Sequence, residues 1–345
     1  MKLFPHFLLI ACIMLTALIA RGGEGFSANQ QAVIVNGKAF TVKVVRIPLD
    51  RYRVKVGLAE GRVGGTEALA DIARREKAVA AINGCFFNAY TRDPIKPPYH
   101  HLFTGGEAAH LCNTGTTLGF DADGNYRMDT VNFKLAGSTG GASWYAYFMN
   151  RPVDTASAAI LYTRFWAGGR APARGTQVVV QNDTVKSVGT GGQALPDKGY
   201  VLLFAGGEEY LARRFRVDER CSFRLTIDAE DAAFWERVQE AMGCGPRLVK
   251  AGALALNPRA EGFTDPKVLS LSCMRSAVGI TRAGELLLVT CRGATITQLA
   301  GVMRELGAYD AMNLDGGASS GLWVPDRYVT TPGRAISNAL LIMKK

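Results

Sequence analysis

The residues best suited to chemistry lie in Asp310–Val324, DAMNLDGGASSGLWV. Ala311–Leu314 predicts a short buried strand, and the chain then turns at Asp315, Gly316 and Gly317. A carboxylate at a strand end followed by two glycines is a site geometry, because glycine lets backbone approach a ligand closely. The same residues also suit a tight turn with an Asx interaction. Gly317–Gly321 matches G-x-S-x-G with Ser319 in the nucleophile position, but the context fails. A nucleophile elbow needs a helix after it and a later histidine. Leu322–Val324 reads as a strand, and every histidine lies upstream.

Three further segments carry polar residues at strand ends. Ala80–Asn88, AAINGCFFN, runs a buried strand into Asn83-Gly84, where Asn83 can hydrogen-bond a ligand or merely shape a turn. Cys244–Gly252, CGPRLVKAG, places Arg247 and Lys250 around a short apolar strand, as anion contacts or as solvated strand edges. Ser272–Gly279, SCMRSAVG, puts Arg275 at a strand entrance, where a guanidinium can clamp a phosphate through two parallel hydrogen bonds. His100, His101 and His110 lack metal-ligand spacing and read as imidazoles of a surface loop.

The elements that must position these residues follow from pattern. Val33–Val35 and Lys38–Val45 flank Asn36-Gly37, a type I′ hairpin signal. Thr66 is a candidate cap for a helix carrying Leu69, Ile72, Ala73 and Glu76. Asp121–Gly124 and Thr281–Gly284 read as turns, the latter joining Ala277–Ile280 to Glu285–Thr290. Phe234, Val238 and Met242 suggest a helix over Ala229–Met242. Thr295 and Gln298 form a capping box for a helix through Leu306, stopped by Gly307. Strands outnumber helices, which predicts a mixed, β-rich α+β fold in one large domain.

The chain has 345 residues, 48% hydrophobic and 20% charged, enough to bury a core without staples. Its net charge of +10 favours anionic partners. The basic residues never run beyond a pair, and no zinc-finger, RRM or P-loop spacing occurs, so nucleic acid is not expected. Behind Lys2, the uncharged run Phe7–Ala20 is too short to span a bilayer and suits a signal peptide over residues 1–20. Residues 21–32 then form a short N-terminal segment before a domain over 33–345, with no later membrane span and an exported, periplasmic or secreted location. Export makes disulfides the expected state of Cys85, Cys112, Cys221, Cys244, Cys273 and Cys291.

Taken in order, the segments AAINGCFF (Ala80–Phe87), GCGPRLVKAG (Gly243–Gly252), RSAVG (Arg275–Gly279), NLDGGASS (Asn313–Ser320) and NALLI (Asn338–Ile342) resemble the phosphodiester glycosidase family. That family's landmarks run AAINGGFF, GGGPxLVxDG, RTAVG, NLDGGGSS and NALLV. Here Cys85, Cys244 and Ala318 stand at family glycines, Ser276 at a threonine and Ala251 at an aspartate. The resemblance implies hydrolysis of a sugar-1-phosphodiester at the anomeric carbon, in envelope or exopolysaccharide glycan metabolism. It implies catalytic roles for Asp315, Arg275 and Asn83, and substrate contacts from Gly316, Gly317, Ser319, Arg247 and Lys250. Asp228 and Glu208 are candidates for a second carboxylate, and Cys273, two residues before Arg275, is a candidate partner for Cys244. No cofactor is implied, while a divalent metal beside the phosphate stays open. A non-catalytic protein binding anionic glycopolymers and a sugar-phosphate transferase are the alternatives.

Overall fold

The computed structural model describes residues 17–21 and 25–345. The apolar run after Lys2 thus lies mostly outside the described residues; its end pairs as the edge strand Ala17–Arg21 on Ser27–Val35. Asn36 and Gly37 take φ of +49° and +77°, and the hairpin closes with Val35 opposite Lys38. This hairpin starts an eight-stranded antiparallel sheet. Its inner strands are Lys38–Pro48, Glu285–Ala294, Cys273–Thr281 and Ala308–Asn313, with Arg247–Lys250 beyond. The expected Thr281–Gly284 turn joins two of them.

A five-stranded sheet of Arg327–Thr330, Leu322–Val324, Ala80–Asn83, Asn338–Lys344 and Tyr52–Leu58 packs against the first. Val45, Val278 and Met312 meet Val56, Ile82 and Leu340 in the core between them. The helix Ile296–Glu305 covers the outer face of the large sheet, with Leu299 and Val302 against Val44 and Leu287. Both hydrogen bonds of its Thr295–Gln298 capping box form. The helix Leu69–Arg75 covers the other sheet through Leu69 and Ile72. Strands in such a layering are buried on both faces, so they read as apolar runs rather than alternating ones.

The fold is β-rich, with ten residues in its longest α-helix, so an α+β label overstates the helices. Two expected helical features are corrected. Only Ala232–Trp235 is helical in the Ala229–Met242 segment. Val238–Cys244 is instead a strand, flanked by Leu102–Thr104 and Thr116–Asp121. A spacing of four repeats one face of a helix and of an unbroken strand alike, so spacing alone did not discriminate. Here a register shift after Val238 sends it and Met242 into different cores. Thr66 does not cap its helix, whose N-cap is Ala68. Glu67 instead pairs with Ile336 through two backbone hydrogen bonds, which fixes where the helix starts. Among the described residues no helix is long and apolar enough to cross a membrane.

Candidate active site

The two packed sheets bring Asn83 and Asp315 together at their shared end. The Asp315 N–H donates to the Gly84 carbonyl at 3.0 Å, and Asn83 Nδ2 donates to the Asp315 carbonyl at 2.7 Å. Asn83 Oδ1 accepts from Ser276 Oγ at 2.8 Å and from the Gly321 N–H at 3.0 Å. The buried Asn83 amide thereby ties three chain segments around one carboxylate. Gly84 permits the approach, because a Cβ there would lie 2.0 Å from Asn338 Oδ1. Leu314 continues the large sheet one bond further, donating to Ser276 at 2.9 Å.

The Asp315 side chain is half-buried. Burial pushes its carboxyl up to about 6, against the hydrogen bonds from Ser319 and the Gly316 N–H and the field of Arg334, which all favour the ion. The Gly316 N–H lies 2.8 Å from Oδ1. Gly316 has no room for a side chain, since a Cβ would sit 2.9 Å from the Met274 carbonyl, while Gly317 takes a left-handed φ of +62°. Cys85 and Cys244 lie behind this turn, close enough for the charge of Asp315 to bear on both thiols. The Leu322–Val324 strand follows, as the rejection of a nucleophile elbow anticipated.

Of the other expected contacts, Ser319 bonds Asp315, while the two arginines are turned to other partners. Arg275 is buried, with Nε donating to Ala294 at 3.1 Å and one terminal nitrogen to Lys267 and Leu271 at 2.9 and 2.6 Å. These are backbone carbonyls, so the guanidinium anchors the 267–271 turn. Arg247 pairs with Asp129 and Asp310, each at 3.4 Å, and donates to the Met128 carbonyl. Lys250 is exposed at the far end of the same strand. Glu208 accepts from Tyr145 at 2.6 Å beside another sheet, and the groups bearing on Asp315 include no carboxylate.

Ala251 occupies a hairpin turn with Gly252, at φ of +52° and +81°. Its N–H reaches Asp310 Oδ1 at 3.3 Å, and Asp310 precedes Asn313 by three residues, or about 10 Å of strand. An aspartate followed by glycine is a favoured pair for such a turn. The carboxylate missing at position 251 is therefore a turn residue remote from Asp315.

The cysteines and histidines are corrected as well. All six described cysteines are free thiols, and Cys244 does not pair with Cys273. Cys221 sits against the Tyr200 hydroxyl and Cys291 under the Ile296–Glu305 helix, in separate cores. His100, His101 and His110 are buried rather than on a surface loop. Each holds a backbone carbonyl, of Thr114, Val131 and His100 respectively, at 3.0, 3.1 and 2.8 Å. Among the described residues no group of three or more His, Cys, Asp or Glu could hold a metal ion.

The sequence reading missed Tyr90, Lys267 and Arg334 at the rim. Arg334 donates to the Tyr90 hydroxyl at 3.0 Å and lies 4.8 Å from its ring centroid, with the Lys267 ammonium at 5.3 Å. No spacing rule links positions 90, 267 and 334; only the fold brings them together.

Residues 174–343 match the model of a family described as phosphodiester glycosidase. That stretch, just under half of the chain, is similar to the family. The match begins downstream of Asn83, which the fold nevertheless sets against Asp315. Three solved structures share the fold. A hypothetical protein from Synechocystis is 24% identical with a TM-score of 0.82, covering 93% of this chain and 62% of its own. A candidate exported protein of Burkholderia pseudomallei K96243 is 23% identical at a TM-score of 0.75, covering 88% and 74%. The zebrafish N-acetylglucosamine-1-phosphodiester α-N-acetylglucosaminidase catalytic domain, auto-inhibited by its pro-peptide, is 14% identical at 0.53, covering 96% and 88%. This chain thus spans about three fifths of the Synechocystis protein. No curated protein matches it.

Proposed function

We propose that this phosphodiester glycosidase relative is an exported hydrolase that cleaves a sugar-1-phosphodiester at the anomeric carbon, in envelope or exopolysaccharide metabolism. The observation that carries the reading is Asp315, a half-buried carboxyl raised to about 6 beside the positive charge of Arg334. The family match supports the substrate class. The apolar run behind Lys2 and the candidate exported relative support the location.

The chemistry follows from what Asp315 can do near neutral pH. The C1–O bond breaks, its electrons leave with the phosphate, and water supplies the new oxygen on C1. The sugar ring becomes oxocarbenium-like, and a carboxylate beside it stabilises the positive charge and takes the water's proton. The leaving phosphomonoester is already an anion, so one carboxylate suffices without a strong acid opposite. Asn83 and Ser319 act by holding Asp315, and Gly316 by donating to it.

The test is to incubate the purified protein with UDP-GlcNAc and a panel of other sugar-1-phosphodiesters, with and without an added glycan acceptor. Free sugar and phosphomonoester in equal amounts, independent of acceptor, support hydrolysis. Sugar phosphate appearing on the acceptor makes the protein a transferase, and binding without any product makes it a glycopolymer-binding protein.

A further inference from the structure

We propose that Arg334 and Lys267, seated on the ring of Tyr90, form the anion clamp that receives the phosphate of the substrate. The inference deepens the hydrolase reading and rests on it for the identity of the ligand. Its physical basis is independent of that reading.

Of the cations first expected to do this work, the two arginines are engaged and Lys250 is exposed at the far end of its strand. Arg275 serves backbone carbonyls, and Arg247 two aspartates. Arg334 and Lys267 differ. Among the described residues neither forms an ion pair with a carboxylate. Both instead approach one aromatic ring that is 76% exposed. Two like charges over one ring repel, and an anion between them relieves that repulsion. Tyr90 reports the local potential. The hydrogen bond from Arg334, then the charges of Arg334 and Lys267, hold its phenol below the usual range although Asp315 acts the other way. The Tyr90 oxygen occupies a position on Arg334 that a phosphate oxygen can take.

Proximity to Asp315 narrows the ligand. Arg334 is near enough to favour the ionised carboxyl, so an anion on the clamp also feels that negative charge. A ligand fits both when it carries an anionic group for the clamp and an electron-poor carbon for the carboxylate. A sugar-1-phosphodiester joins the two through a single oxygen. Arg275 gains a positioning role, because its bonds to the Lys267 and Leu271 carbonyls fix the turn that presents Lys267.

The clamp is tested in the Asp315→Asn background, where turnover does not interfere. Binding of UDP-GlcNAc and of inorganic phosphate is measured by calorimetry, alone and with Arg334→Gln or Lys267→Gln added. Each substitution is expected to weaken both ligands at least tenfold and to flatten the salt dependence of binding. Arg334→Lys, which keeps the charge and loses the planar fork, is expected to recover part of the loss. Unchanged affinity in both Gln variants, or no binding of either ligand to the Asp315→Asn protein, overturns the clamp. Loss of phosphate binding in a protein whose wild type releases no sugar keeps the clamp and sinks the hydrolase reading.

Discussion

Asp315 carries an energetic cost that its surroundings only partly offset. Its folded pKa lies above the unfolded value near 3.9, so stability falls as pH rises from about 4, where the unfolded chain begins to ionise, and the full cost stands above about 6. Asp315→Asn keeps an acceptor for the Gly316 N–H and removes the buried charge. It is expected to stabilise the protein by about 1–3 kcal/mol at pH 7.5 and to have little effect at pH 4, as thermal unfolding at the two pH values will show. Asn83 pulls the other way. Asn83→Ala leaves the Ser276 hydroxyl, the Gly321 N–H and the Asp315 carbonyl without their partner, at a cost of about 2–4 kcal/mol in denaturant unfolding. Residue type and strand-end position singled out Asn83, Arg247, Arg275 and Asp315 in the sequence. They did not separate a framing side chain from a ligand contact, because both roles need a polar group at the end of a buried strand. The partners that separate them come from residues up to 238 positions apart.

Elements were legible where a local signal suffices. Asn36-Gly37 and the Thr295–Gln298 box specify a turn and a helix start from adjacent residues alone, and both form. Val238–Cys244 was not legible, because its strand pairing depends on Leu102–Thr104 and Thr116–Asp121 far away in sequence. The turn at Ala251 makes an element-scale prediction. Alanine at a left-handed φ of +52° is strained, and asparagine tolerates that region better. Ala251→Asn should stabilise the protein by about 0.5–1 kcal/mol in chemical denaturation. Turnover should not change in Ala251→Asn or Ala251→Asp, since the turn lies well away from Asp315. A large activity change in either would return position 251 to the site.

At the scale of the whole molecule, the stacking of two sheets between two helices places Asn83 against Asp315, and no single stretch of sequence states it. The buried histidines have a global consequence. Burial lowers His100 and His110 to about 4 and His101 to about 3, while the unfolded chain takes up these protons near 6.5. The stability they contribute is whole above 6.5 and drains away as pH falls towards 4, up to about 3 kcal/mol for each. Thermal unfolding across this range should therefore show a steep acid loss. His110→Asn, whose amide can replace Nδ1 as donor to the His100 carbonyl, should flatten the slope.

The central claim is that Asp315 is the working carboxylate and that burial sets its pKa. Its most direct test is the pH dependence of kcat/KM for sugar release, in the wild type and in Asp315→Asn. The account predicts a rate that climbs with pH through a midpoint near 6. It also predicts a loss of about 10²–10⁴-fold in Asp315→Asn, with that limb gone. Sugar release by Asp315→Asn at the wild-type rate, with the same profile, would contradict it.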